Sequence, residues 1–172
     1  MLPQRKRLPH DVPSWVSDGA RYFITINCKQ RGVNTLCRPE SSPRLIDSIH
    51  AYEARARWHV AALVLMPDHL HLIASFPHSP GIRETIRAWK GFQAKRAGVD
   101  WQSGFFEHRL RSDQEFSEKV HYVLMNPVRR GLAESWREWP HVFVRGDWQS
   151  EVASPCAAHP EGSPYQGRAE TR

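Results

Sequence analysis

The order of predicted elements in this 172-residue chain indicates an α+β fold. We expect a ferredoxin-like split βαβ antiparallel sheet, with helices on one face and an added C-terminal helix. Three observations lead to this prediction. Apolar runs with the period of strands alternate with runs of helical period, in the order strand, helix, strand, strand, helix, strand. A tight hairpin joins the second and third strands, and a third helical segment follows the fourth strand. The length suits one domain with its own core.

The first strand and the first helix are indicated by residue type and by turn chemistry. Arg21–Cys28 is rich in aromatic and β-branched residues, which favour strands. Residues 29–42 are rich in turn formers. Ser42-Pro43 then begins a helix that continues with helical spacing to Ala56, because proline is favoured in a first helical turn.

The second and third strands form a hairpin around Met66-Pro67-Asp68. Two apolar runs, His59–Leu65 and Leu70–Phe76, flank this turn. Because successive side chains on a strand point to opposite faces, His69 and His71 share one face and the intervening leucine lies on the other.

The second helix is predicted from Gly81 to about Ala97, after the Ser79-Pro80 turn. It carries two neighbouring stripes. The apolar stripe consists of Ile82, Ile86 and Trp89, and the cationic stripe consists of Arg83, Arg87 and Lys90. The apolar stripe is expected to face the core. The cationic stripe is either a solvated surface or a surface that contacts phosphates.

The C-terminal third of the domain contains a fourth strand, a third helix and a last short strand. Phe105–Leu110 follows the break at Gly104 and has strand composition. Ser112-Asp-Gln-Glu115 has the form of a capping box, so the third helix starts there, and Pro127 is expected to end or kink it. A last strand is predicted within Trp139–Arg145.

Composition separates the two ends of the chain from this domain. Residues 1–20 are polar and contain several prolines, which indicates an N-terminal arm. Residues 148–172 are rich in Pro, Ser and Gly with few apolar residues, which predicts disorder. The domain is therefore expected at residues 21–147. The whole chain has a formal charge of +6 and a pI near 9.6, which favours a polyanionic partner.

Several classes of protein are excluded by the remaining composition. The three cysteines, Cys28, Cys37 and Cys156, are odd in number and lack CxxC spacing, which argues against a disulfide framework and a structural zinc site. No segment has the length and apolarity of a membrane span, and the basic N-terminus lacks the apolar part of a signal peptide. We expect a cytoplasmic, nucleoid-associated protein without a membrane partner.

The histidine pair, His69 and His71, is the first candidate for chemistry. Two neutral imidazoles held side by side on a strand are suited to binding a divalent metal or a phosphate. The alternative is a half-exposed strand that carries two histidines without a function, since the chain contains 10 of them.

The third helix supplies the second candidate. Tyr122 and Asn126 are four residues apart and share one helix face. If this helix covers the face of the sheet that carries the histidine pair, Asn126 adds a ligand oxygen and Tyr122 reaches a phosphate on the bound cation. This ligand set suits Mg²⁺ or Mn²⁺. Taken separately, each residue has an ordinary structural explanation, as a core tyrosine and as a helix terminator.

Four motifs in this order resemble the REP-associated tyrosine transposases, a branch of the single-tyrosine HUH nucleases. They are Arg21–Thr25, Met66–Ile73, Trp101–Arg109 and Tyr122–Leu132. The resemblance implies that His69, His71 and Asn126 bind the metal and that Tyr122, on a C-terminal catalytic helix, forms a 5′-phosphotyrosine bond with single-stranded DNA. It also implies recognition of hairpins from repetitive palindromic elements, by a monomer or a homodimer. Arg83, Arg87, Lys90 and Arg109 are candidate DNA contacts.

Two other functions use fewer of these residues. A non-catalytic nucleic-acid-binding protein, such as a domesticated or inactive transposase, needs only the basic surface. A metal-dependent phosphoesterase that activates water needs His69 and His71 but not Tyr122.

Overall fold

The computed structural model describes residues 19–145. Most of the predicted N-terminal arm, and all of the predicted disordered tail at 148–172, lie outside the described residues. The elements in chain order are β1 (Arg21–Asn27), α1 (Ser42–Ala54), β2 (His59–Met66), β3 (His69–Ser75), α2 (Gly81–Ala97), β4 (Phe106–Leu110), α3 (Asp113–Leu124), α4 (Asn126–Arg129), a 3₁₀ turn (Trp136–Glu138) and β5 (Val142–Val144).

The strands form one antiparallel sheet in the order β4-β1-β3-β2-β5. The first four strands have the order of a ferredoxin-like split βαβ unit, so the predicted fold class is confirmed. β5 extends the sheet beside β2, where Leu63 pairs with Phe143. The central strands β1 and β3 pair over their whole length, and this register sets Asn27 opposite His69 and Thr25 opposite His71.

Helices α1 and α2 pack on one face of the sheet. Alternate residues of the central strands, such as Ile24 and Leu72, are fully buried against Leu45 of α1 and Ile86 of α2. Each such aliphatic side chain contributes about 1.5–3 kcal/mol to folding when it is fully buried. This face also contains a cluster of indole rings, with ring centroids 5.5–5.8 Å apart, formed by Trp58, Trp89 and Trp101.

Helix α3 covers the opposite face of the sheet. Its apolar stripe, which includes Val120 and Leu124, packs on Phe23, Val64 and Ile73. Ser112 caps the helix by accepting a hydrogen bond from the Glu115 backbone, as the capping-box pattern predicts. The two faces therefore have separate apolar cores, and the face under α3 is the one that carries the histidine pair.

One boundary differs from the sequence prediction by more than one residue. Helix α1 ends at Ala54 rather than at Ala56, because the chain turns and Ala56 adopts a positive φ of 51°. As expected from Pro127, α3 ends before the proline, and the chain resumes as α4 because proline is compatible with the first turn of a new helix. Among residues 19–145, no helix has the length and apolarity needed to cross a membrane.

Candidate active site

The histidine pair lies buried between the sheet and α3. His69 and His71 are 5% and 6% exposed, and their ring centroids are 4.9 Å apart. The two-residue period of β3 accounts for their shared face, as expected from sequence. Their burial under α3 is a tertiary feature, and it turns an ordinary strand surface into an enclosed polar site.

His69 is held in place by Asp68 from the hairpin turn. Nδ1 of His69 donates to Oδ1 of Asp68 over 2.6 Å, while Oδ2 of Asp68 accepts from the Gly32 backbone over 2.7 Å and lies 3.3 Å from Nε of Arg31. Burial lowers the pKa of His69 and outweighs the opposing effect of Asp68. Burial acts to raise the pKa of Asp68, but the hydrogen bonds from Gly32 and His69 hold it below its usual range. His69 is therefore neutral at physiological pH, with Nε2 as its unprotonated nitrogen.

His71 is still more firmly neutral. Its Nδ1 lies 2.9 Å from the hydroxyl of Thr25, and its ring stacks on Phe23 with a centroid distance of 5.5 Å. Burial lowers the pKa of His71 to about 3, and both the positive charge of Arg130 and the charge that His69 carries when it is protonated act in the same direction. Because Thr25 engages Nδ1, a ligand would bind His71 through Nε2.

Asn126 completes the donor set at the start of α4. Its side chain is buried, and Nδ2 donates to the backbone oxygens of Tyr122 at 2.8 Å and Val123 at 3.4 Å. Neither of these bonds uses the amide oxygen, and the Asn126 side chain is close enough to His71 to oppose the lowering of the pKa of that imidazole by burial. The Asn126 side chain therefore lies next to His71, with its amide nitrogen bound to the end of α3.

The donor set fits a divalent cation that binds together with an anion. Two neutral imidazole nitrogens and one amide oxygen carry no negative charge, so a bound cation would keep its full charge for a phosphate ligand. Within residues 19–145 there is no group of three or more His, Cys, Asp or Glu side chains that could hold a metal. The arrangement therefore differs from a closed structural zinc site, which has four protein ligands.

Tyr122 lies beside the histidine pair at the edge of the site. Its ring centroid is 6.1 Å from that of His71 and 6.0 Å from that of Phe23. The side chain is 38% exposed, so the phenol is accessible to a large substrate while the imidazoles below it are not. The structure thus brings together the four residues selected from the sequence.

Cations that the sequence analysis did not select surround the tyrosine. Nζ of Lys119 lies 5.0 Å from the Tyr122 ring centroid, and Cζ of Arg129 lies 4.9 Å from it. Arg130 is close enough to depress the pKa of both histidines. These contacts favour a substrate with several negative charges. Helical spacing places Lys119 one turn before Tyr122, so the sequence contained a signal for this residue.

The four candidate DNA contacts lie on the other side of the sheet. Arg83 and Arg87 are exposed on α2, and Arg109 pairs in register with Tyr22, whose side chain belongs to the core under α1 and α2. Lys90 is buried, and its Nζ donates to the backbone oxygens of Gln102 at 2.5 Å and Gly104 at 3.0 Å. The cationic stripe is therefore interrupted, because the loop before β4 folds over Lys90. None of the four lies next to Tyr122.

The known proteins that this chain resembles in sequence and in fold are described as transposases. Residues 18–126 match the model of the family described as Transposase IS200 like. A REP-associated tyrosine transposase of Escherichia coli is 25% identical over 148 residues, covering 78% of this chain and 87% of that protein. A Haemophilus influenzae relative, named for the same class of transposase, is 23% identical over 159 residues, covering 78% of this chain and 85% of that protein. A solved REP-associated tyrosine transposase bound to a REP hairpin has a TM-score of 0.71 and 22% identity, over 90% of this chain and 95% of that one, which shows a shared fold.

Proposed function

The chain belongs to the IS200-like transposase family, and on this premise we propose that it cleaves and rejoins single-stranded DNA through a covalent bond between Tyr122 and a 5′-phosphate. The resemblance to REP-associated tyrosine transposases inferred from the motifs is confirmed by both relatives. One observation carries the proposal of mechanism: an accessible phenol lies directly beside two buried, neutral imidazoles and an amide oxygen.

His69, His71 and Asn126 are the residues that would hold a divalent cation, Mg²⁺ or Mn²⁺. When bound, such a cation supplies Lewis-acid polarisation of the scissile phosphate. Burial keeps both imidazoles neutral, as metal binding requires. Asp68 engages Nδ1 of His69 and Thr25 engages Nδ1 of His71, so Nε2 of each ring would bind the cation.

Tyr122 acts as the nucleophile in this proposal. Its Oη forms a bond to phosphorus while the bond from phosphorus to the 3′ oxygen breaks, and the proton that the phenol loses is balanced by the proton that the 3′ oxygen gains. A phenol has a pKa of about 10, so it needs positive charge nearby as it ionises. Lys119 and Arg129 supply that charge beside the ring. Because one phosphodiester is exchanged for another, the same site can rejoin strands without an energy source.

The proposed substrate is single-stranded DNA that carries a hairpin. The basic charge of the chain and the clustering of Lys119, Arg129 and Arg130 around the site suit a polyanion. The solved relative with the same fold is bound to a REP hairpin, and we extend that preference to this chain, which acts as a monomer or a homodimer.

A labelled hairpin oligonucleotide incubated with the protein and Mn²⁺, then run on a denaturing protein gel, tests the proposal. We expect a covalent adduct that disappears on chelation of the metal and in Tyr122→Phe, while Tyr122→Phe still binds the hairpin. A water-activating phosphoesterase would instead cut with Tyr122→Phe, and a non-catalytic binding protein would give neither adduct nor product.

A further inference from the structure

A groove on the side of the sheet away from Tyr122 has the properties of a second nucleic-acid site. It has a volume of about 550 Å³ and lies between α2 and the loop of residues 98–105. We call it the α2 groove, and the lining residues that matter here are Arg83, Arg87, Lys90, Trp101, Gly104 and Phe105.

The α2 groove contains a buried hydrogen-bond donor without an acceptor. Trp101 is 9% exposed, and its Nε1 has no partner within the described residues. The indole nitrogens of Trp58, Trp89 and Trp139 each donate to an oxygen, over 2.8–3.0 Å. A buried N–H that lacks an acceptor is unfavourable, so a shift of the loop that let a ligand oxygen reach it would be favourable.

Three of the four charged side chains that line the groove are cations. Arg83 and Arg87 are exposed on α2, and no hydrogen bond or ion pair to a residue in the range 19–145 engages either guanidinium. Lys90 adds a positive charge in the wall, where it holds the loop through Gln102 and Gly104. The acidic residue of the lining, Asp100, lies 3.5 Å from Nζ of Lys29. A lining in which three cations outnumber one carboxylate favours an anion with acceptor oxygens, as in a phosphodiester.

The loop that forms the groove is attached to the strand next to the histidine pair. The Gln102 backbone donates to the oxygen of Asn27 over 2.9 Å, and Asn27 pairs with His69 in the sheet. The groove therefore opens at the same end of the sheet as the candidate metal site. A single strand that passes around this end can contact both faces of the protein.

Two consecutive phenylalanines, at the start of β4, lie on opposite faces of the sheet. Phe105 packs on the core side that faces α2, while Phe106 is 47% exposed and its ring lies 6.0 Å from Phe23, beside the active site. Exposed aromatic rings are the usual stacking surfaces for unpaired bases. The bases of a duplex are already stacked on one another, so they do not stack on exposed aromatic side chains.

From these features we propose that the α2 groove binds the phosphate backbone of the single-stranded DNA segment adjoining the scissile phosphate, with Phe106 stacking a base on the way. This inference rests on the proposed function for the choice of DNA. It adds that sites on the two sides of the sheet hold one continuous strand. It assigns Arg83 and Arg87 to unpaired DNA rather than to the hairpin stem.

Binding of two oligonucleotides without metal tests the proposal. One is a hairpin with a single-stranded extension, and the other is the same hairpin with no extension. We expect the double variant Arg83→Ala, Arg87→Ala to bind the extended DNA about tenfold more weakly, and its salt dependence to fall by a slope of about 1.4 for two lost single-strand phosphate contacts. Affinity for the hairpin without extension should change less than about twofold. Trp101→Phe should weaken only binding of the extended DNA, with folding checked by thermal unfolding.

Arg96→Ala is the matched control, because Arg96 is an exposed arginine of the same helix that lies outside the α2 groove. Equal weakening of both oligonucleotides would assign the groove to the duplex stem and overturn the proposal. Unchanged binding of the extended DNA by the double variant would overturn it as well. Neither result depends on adduct formation, so the groove and the chemistry at Tyr122 can fail independently.

Discussion

Replacing Asp68 by Asn tests whether the active site depends on the orientation of His69. The carboxylate has two oxygens with different tasks, since Oδ1 accepts from His69 over 2.6 Å and Oδ2 accepts from the Gly32 backbone over 2.7 Å. An Asn side chain has the same shape but a single acceptor oxygen. Either His69 or Gly32 must therefore lose its acceptor, and the ion pair with Arg31 is lost in both cases.

The size of the effect follows from the burial of these groups. Loss of the carboxylate that orients a metal-binding histidine usually lowers metal affinity or activity by about 10- to 100-fold. The Asp68 side chain is 13% exposed, so the lost charged hydrogen bond should also cost about 1.5–3 kcal/mol of folding free energy. Hydrogen bonds hold the pKa of Asp68 below its usual range against the opposing effect of burial. Its stabilising contribution is therefore present at neutral pH and is lost as the pH falls through the folded-state pKa.

Calorimetric titration with Mn²⁺ and the rate of covalent adduct formation measure the two functional effects, and chemical denaturation measures the stability. Asp47→Asn is the control, because it makes the same chemical change at an exposed position on α1. If Asp68→Asn loses stability but keeps its Mn²⁺ affinity and adduct rate, Asp68 serves only the fold, and the reasoning about His69 is refuted.

Three further predictions use other parts of the site. Lys119→Met should slow adduct formation about tenfold, less than the loss of about 10²–10³ for a donor that contacts the reacting oxygen, because the ammonium lies 5.0 Å from the Tyr122 ring centroid; hairpin affinity should fall by less than the rate, the rate should recover partly in Lys119→Arg, and equal rates in all three proteins would contradict a role for the ammonium. Phe106→Ala should weaken binding of DNA with an unpaired extension by about 1–3 kcal/mol and leave thermal stability unchanged, because the ring is 47% exposed; an unchanged affinity would rule out base stacking there. Burial lowers the pKa of His71 to about 3, whereas the unfolded chain binds this proton near pH 6.5, so stability should fall on acidification between these values by up to about 1.4 kcal/mol per pH unit. Denaturation of the protein and of His71→Gln at pH 7 and pH 5 checks this, and the same pH dependence in both would show that His71 is not the cause.

The local parts of the site were predictable because they depend on short-range geometry. The period of a strand is enough to place His69 and His71 on one face, and the period of a helix is enough to place Tyr122 one turn from Asn126. The capping box at Ser112 likewise located the start of the helix that carries Tyr122. The family resemblance then rested on these same residues and was confirmed by the family match.

The contacts that give these residues their chemistry involve partners far apart in sequence. Arg31 and Gly32 orient Asp68 from a loop more than 30 residues away in the sequence. No local sequence pattern predicts these contacts. Lys90 belongs to the cationic stripe by its spacing, yet the loop before β4 buries it through Gln102 and Gly104. Periodicity describes a helix face and contains no information about what later folds over it.

By itself, the sequence determined the element order, the side of each strand and helix on which the candidate residues lie, and the family. The tertiary structure alone decided that α3 buries the histidine pair and keeps both rings uncharged, that Lys119 and Arg129 flank the phenol, and that Arg83 and Arg87 lie on the far side of the sheet. The physical reason is that side-chain direction is set within a few residues. Burial, which governs charge and access, depends on elements that meet only when the whole chain packs.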